Sequence, residues 1–209
     1  MTKTIRNKAN REQTKENILN AAIIEFSQHG YLGASTQGIA KRAGMSKSQL
    51  HYYIEDKETL YHHVLERLFS SWTSLFDYDS DAGDTPSSAL RQYITMKLKF
   101  ALTYPELSRI FTMEVISNGT HLAEFWPDAI SSALQKAEII NCWVRDGKIR
   151  QLDGRLLIMN IWALTQYYAD YALQTEKMMN ASIENSVLQN KILEELVTFV
   201  LNGCGLEDN

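Results

Sequence analysis

Lys47, Ser48, Gln49, His51 and Tyr52 stand almost side by side in the stretch AGMSKSQLHYYIEDKETL, residues 43–60. Each donates or accepts hydrogen bonds, and none is good core material. Grouped at the start of a helix, such side chains can reach base edges in the major groove of a duplex. Phosphate oxygens are a second target. The unbonded N–H groups at helix starts near Thr36 and Asp56 can bind them, with Lys57 beside the second start. The competing reading is a polar surface helix with a well-made cap.

Positioning that group requires two short helices and a tight turn. From Glu12 to His29, the residues Ile18, Leu19, Ala22, Ile23 and Phe26 recur at helical spacing. Gly30 then suits the left-handed position that closes a helix. Ser35 or Thr36 can cap a second helix running to about Ala43, and Gly44 can end it. Ser46 opens a third helix, where Gln49 completes a capping box. Ile39, Ala40, Ala43, Met45 and Leu50 are small or apolar and can hold the two helices together. The pattern is a helix-turn-helix. Residues 1–10 lack apolar periodicity and read as a flexible basic arm.

Charge supports a polyanionic partner for this end of the chain. Residues 1–50 hold eight Lys/Arg against three Asp/Glu, a balance of +5, whereas the remainder carries −9. A basic head on an acidic body directs nucleic acid to the head alone. The apolar fraction of 44% supports a sizeable core. Cys142 and Cys204 form neither a metal spacing nor a disulfide framework. No apolar signal core or membrane-length apolar run is present, so a cytoplasmic protein is expected.

The rest of the chain stays helical. Asp56 caps a fourth helix with Leu60, Val64, Leu68 and Trp72 on one face. Asp77–Ser88 is acidic and rich in turn formers, a linker candidate. Further helices run up to Pro105, onward from it, from His121 to Gly147 with Pro127 near the start, from the Asp153 cap to Gln174, and from Ile183 to Gly203. The expectation is an all-α protein of about nine helices. Residues 1–55 would form a three-helix DNA-binding helix-turn-helix domain, and 56–209 a helical ligand-binding and dimerisation domain.

That second part places Trp72, Tyr93, Lys97, Glu114, Trp162 and Gln166 among apolar helical positions. Trp162 and Gln166 share a helix face, and Lys97 can approach from another helix. A planar ligand with carbonyl and N–H edges needs an aromatic face and an amide that both donates and accepts. The bland alternative is that the Trp residues are core and Lys97 snorkels to water. Catalysis lacks a constellation. His62 and His63 are adjacent, so their side chains diverge on a helix, and no third ligand stands at metal spacing. Neither catalytic nor metal-binding residues are therefore assigned, and no cofactor is expected.

The run TQGIAKRAGMSKSQLHYYIEDKETLY resembles the DNA-binding region of TetR-family repressors through Thr36, Ile39, Ala40, Ala43, Gly44, Ser46, Leu50, Tyr53, Lys57 and Leu60. Met45, His51 and Ile54 depart from the usual pattern; His51 changes a contact position, so the operator sequence does not carry over from the family. RQYITMKLKFALTYPELSRIFTMEVISNG and LIMNIWALTQYYADYA look like the pyrimidine-utilisation repressors of that family. This resemblance implies double-stranded operator DNA as partner, a homodimer through the two C-terminal helices, and an effector such as uracil or thymine held by Trp72, Lys97, Trp162 and Gln166. Expected dimer residues include Leu156, Ile158, Ile161 and Leu164, then Ile192, Leu193, Leu196, Val197 and Val200. A base of about eight heavy atoms has a binding ceiling of about −12 kcal/mol, while micromolar affinity needs only about −8 kcal/mol. Alternatives are a different small hydrophobic effector, or an adaptor that does not bind DNA.

Overall fold

Ile18, Ala22 and Phe26 are buried along one side of helix α1 (Lys3–Gly33). The computed structural model describes residues 3–76 and 85–206. Residues 3–10 belong to α1 and do not form a flexible arm. No Gly or Pro interrupts Lys3–His29, so the helix runs on beyond its apolar positions. Gly30, at φ 64°, bends the chain before the final turn. Helices α2 (Thr36–Arg42), α3 (Lys47–Tyr53) and α4 (Lys57–Phe76) follow. Ile39, Ala40, Leu50, Leu60, Val64, Leu65 and Leu68 from these helices are all buried. Each large aliphatic removed from water contributes about 1.5–3 kcal/mol.

The described residues of Met1–Ser70 and Arg109–Leu122 form one compact unit, and those of Ser71–Ser108 and Ala123–Asn209 the other. The division read from sequence falls at 55/56. Most of α4 groups with the first unit, together with the second part of α6 (Pro105–Ile116). Of the linker candidate, residues 77–84 lie outside the described residues. Its end opens α5 (Pro86–Thr103), where Thr85 Oγ1 accepts the Ser88 N–H at 3.2 Å.

In the second unit, α5 packs on α8 (Gly154–Asp170) and on α10 (Ser186–Gly203), and α7 (Trp126–Arg145) packs on α8. Its core joins Leu90, Ile94 and Leu98 to Ile140, Ile158, Ile161 and the buried face of α10. Gly154 lets the start of α8 meet α7. A Cβ there would overlap the Ala137 carbonyl, and the Gly154 N–H donates to Asn141 Oδ1 at 3.0 Å.

Three helix expectations change, the smallest being that the helix expected from Ile183 begins at Ser186, capped by Asn185. The helix expected from His121 begins at Trp126: Asn118 and Gly119 take φ 73° and 63°, and a 3-10 turn (Thr120–Leu122) intervenes. Pro127 sits in the first turn of α7, where its missing N–H is harmless. The helix expected through Gln174 breaks at Tyr171 (φ −114°, ψ 29°), and α9 (Ala172–Met179) follows. Among the described residues there are thus ten α-helices, the 3-10 turn and no strand. No described helix is long and apolar enough to cross a membrane.

Candidate functional site

A buried carboxylate organises the helix-turn-helix. Glu25 on α1 accepts Arg42 Nε at 2.7 Å and the Ser35 N–H at 3.5 Å. Burial alone would raise its pKa, but these hydrogen bonds and the Arg42 charge bring it below the ordinary value. Gly38 completes the junction, because a Cβ there would overlap the Glu25 carboxylate. Ser35 rather than Thr36 caps α2, its Oγ accepting the Gly38 N–H at 3.0 Å. Gly44, at φ 69°, makes the turn.

Ser46 then starts α3 with a complete capping box: the Gln49 N–H donates to Ser46 Oγ at 3.2 Å, and the Ser46 N–H donates to Gln49 Oε1 at 2.8 Å. Leu50 is buried beneath. Lys47, Ser48, Gln49, His51 and Tyr52 are all exposed, Tyr52 to 74%. The cap occupies the side-chain carbonyl of Gln49, so of its amide the NH2 is the donor left for a ligand. Thr36, the first residue of α2, is half-buried.

Lys57 has work inside the fold. Its ammonium donates to the Tyr31 and Ala34 carbonyls at 2.8 and 3.2 Å and lies 4.5 Å from the Tyr31 ring centre. One ammonium N–H direction remains beyond those two bonds. Asp56 Oδ1 caps α4 by accepting the Thr59 N–H at 2.7 Å.

In the second unit, three of the four expected effector residues come together. Lys97 Nζ lies 4.9 Å from the Trp72 ring centre and 5.6 Å from that of Trp162. Burial, and then repulsion from Lys136, lowers the Lys97 pKa from 10.5 to about 7. The Trp162 indole N–H donates to the Tyr93 hydroxyl at 2.7 Å. Gln166 lies one turn along α8 and donates to Asp170 Oδ1 at 3.0 Å. Lys136 is the participant that sequence reasoning missed: it lies on α7, and no spacing in the chain links it to Lys97. Tyr93 and Lys136 also line an open groove with Ile139 and Trp143, among others.

Glu114 belongs elsewhere. It lies in the first unit, 4% exposed, where Oε2 accepts the Tyr61 hydroxyl at 2.8 Å. Its Oε1 accepts the His121 backbone N–H and ring Nδ1, both at 2.9 Å. Burial would raise this carboxyl, but the donors hold it below the ordinary range; the Tyr61 phenol is driven strongly upward by burial and by Glu114. The 3-10 turn is thus tied to α4 through α6.

The expected dimer residues also divide. Ile158, Ile161, Ile192, Leu196, Val197 and Val200 are buried within the chain, so they serve its own core. Leu156 is 58% exposed, and Met159, Val187 and Phe199 are further exposed apolar residues on α8 and α10.

The sequence profile of bacterial regulatory proteins of the tetR family matches residues 18–64, and that of the C-terminal region of YcdC-like proteins matches residues 64–207. The HTH-type transcriptional regulator RutR of Escherichia coli O157:H7 is 36% identical over 191 residues, 90% of this chain and 89% of that protein. A transcriptional regulator of Streptomyces coelicolor has a similar crystal structure, with a TM-score of 0.68 at 22% identity over 91% of this chain and 97% of that one. AibR, crystallised with isovaleryl coenzyme A and operator DNA, gives a TM-score of 0.67 at 15% identity over 89% of this chain and 97% of its own.

Proposed function

The chain belongs to the TetR family of bacterial regulatory proteins, with a YcdC-like C-terminal region, and from that premise we propose that it grips operator DNA as a homodimer and changes its grip when uracil or thymine enters the second unit. The observation that carries the regulator reading is the capped α3, whose polar residues stand exposed over a buried Leu50. Such a helix start can enter the major groove, Lys47, Ser48, Gln49, His51 and Tyr52 meeting bases and phosphates. Thr36 and the remaining Lys57 N–H are assigned to phosphates. One such helix reads few bases, so two copies matched to two half-sites supply useful specificity. The exposed apolar faces of α8 and α10 are where the second copy would seat. The cytoplasm, where the chromosome lies, is the proposed location.

The effector reading rests on Trp72, Lys97 and Trp162. Two indole faces can stack a planar base while the Lys97 ammonium donates to a ring carbonyl. Gln166, by turning from Asp170, can pair with an adjacent carbonyl and N–H edge. AibR, on a similar fold, was crystallised with isovaleryl coenzyme A and operator DNA, which supports a small-molecule site on a DNA-binding protein of this fold. Coupling requires that the base bind the low-affinity arrangement of the protein better than the DNA-gripping one.

Fluorescence anisotropy on a duplex from the gene's own upstream region, with a scrambled duplex as control, tests both halves. Specific binding relieved by uracil or thymine is the expected result. Specific binding indifferent to both bases would replace the pyrimidine with another effector. Equal binding to the scrambled duplex would remove that region as the operator.

A further inference from the structure

The positive charge of the first fifty residues is concentrated before the helix-turn-helix. Of the eight Lys/Arg there, five (Lys3, Arg6, Lys8, Arg11 and Lys15) precede Ile18. The remaining three are Lys41, Arg42 and Lys47, and Arg42 is held by Glu25 at 2.7 Å. The recognition motif itself therefore offers Lys41 and Lys47 as its exposed lysines. Non-specific affinity for a duplex comes almost wholly from cations that displace phosphate counterions. Two lysines are a thin supply.

Helix α1 furnishes more. Lys8, Arg11 and Lys15 are all exposed and share one face at helical spacing, spread over about 10 Å of helix. Glu12 shares that face, at 3.9 Å from Lys15 with both side chains well solvated, so it offsets little. Glu16 is held elsewhere, by Arg67 at 2.7 and 3.0 Å. Residues 8–13 are exposed all round. The opposite side carries Asn10, Gln13 and Asn17, so there is no apolar face to sink into a bilayer.

We propose that the Lys8–Arg11–Lys15 stripe is a second duplex-contact surface, blind to sequence, that supplies much of the salt-dependent part of DNA affinity. It rests on the DNA-binding reading above and adds a surface outside the helix-turn-helix. Its partner is the phosphate backbone, because the cations sit on the same compact unit as α3 and form a line rather than a cupped site.

The test compares the full-length protein with the triple variant K8Q/R11Q/K15Q and with the charge-keeping K8R/R11K/K15R. Gln keeps helix propensity, and unchanged thermal unfolding shows that the fold is intact. Anisotropy is read on the upstream and scrambled duplexes from about 50 to about 200 mM salt. Expected is a fall of about 2–3 in the slope of log affinity against log salt for the Gln variant on both duplexes, with the charge-keeping variant matching the parent. A slope unchanged in the Gln variant overturns the proposal, as does a stripe that governs only binding to anionic vesicles. A lowered slope with no preference for the upstream duplex leaves the stripe standing and removes that operator. A parent protein that binds neither duplex overturns both.

Discussion

Burial and the Lys136 charge bring the Lys97 ammonium from 10.5 down to about 7, so its proton is held loosely near neutrality. The unfolded chain keeps that proton up to about its ordinary pKa, so between the two values it binds more protons than the folded chain does. Stability therefore rises with pH across that window, and the penalty of a desolvated cation is fully present below about 7. Lys97→Met is expected to raise the unfolding temperature most below neutral pH and least near pH 10.5, followed by thermal melts across that range. The effector should show the opposite trend. A ring carbonyl favours the protonated amine, so uracil affinity measured by calorimetry should decline as pH climbs through about 7. Affinity flat across that range would remove Lys97 from the site. Gln166→Leu deletes the amide edge but leaves α3 untouched. It should abolish the uracil response with operator affinity preserved; a normal response would refute the pocket assignment.

Helices carry the next set of consequences, because Lys57 joins the end of α1 to the start of α4 by holding two carbonyls. Lys57→Ala should cost about 1–3 kcal/mol in urea unfolding, since those carbonyls lose a charged donor. It should also weaken all duplexes alike and reduce the salt slope by about one. Lost stability with an unaltered slope would confine Lys57 to the fold. Gly38→Ala sets a Cβ against the Glu25 carboxylate, and is expected to lower stability by about 1–3 kcal/mol and weaken DNA binding. What sequence revealed at this scale was local. Ser35, Ser46, Asp56 and Asp153 cap helices as expected because a cap needs only its own next turn. The break at Tyr171 was illegible because no Gly or Pro marks it. Contacts across it accompany the bend: the Tyr167 and Tyr171 rings stack at 5.0 Å, and the Tyr167 hydroxyl donates to Gln174 at 3.2 Å. The Trp162–Tyr93 bond spans 69 residues of chain, so no local pattern could announce it. Glu114 was misplaced for the same reason: apolar spacing on α6 does not say with which unit each stretch of the helix groups.

At the scale of the whole molecule, the proposed dimer depends on side chains that the core leaves over. Leu156 and Phe199 are 58% and 67% exposed on α8 and α10. Replacing both with Glu should move the protein toward monomer in sedimentation and weaken operator binding, while a single chain retains its fold. A dimer of unchanged strength would place the interface elsewhere. The same separation of roles holds at the other end. Arg42 and Gly38 both meet the Glu25 carboxylate, so a change at any of the three disturbs the same junction. Lys47, Ser48, His51 and Tyr52 are free of that constraint, being exposed above the buried Leu50. In the proposed reading, substitutions among these exposed residues change the preferred operator sequence while the Glu25 frame beneath them stays as it is.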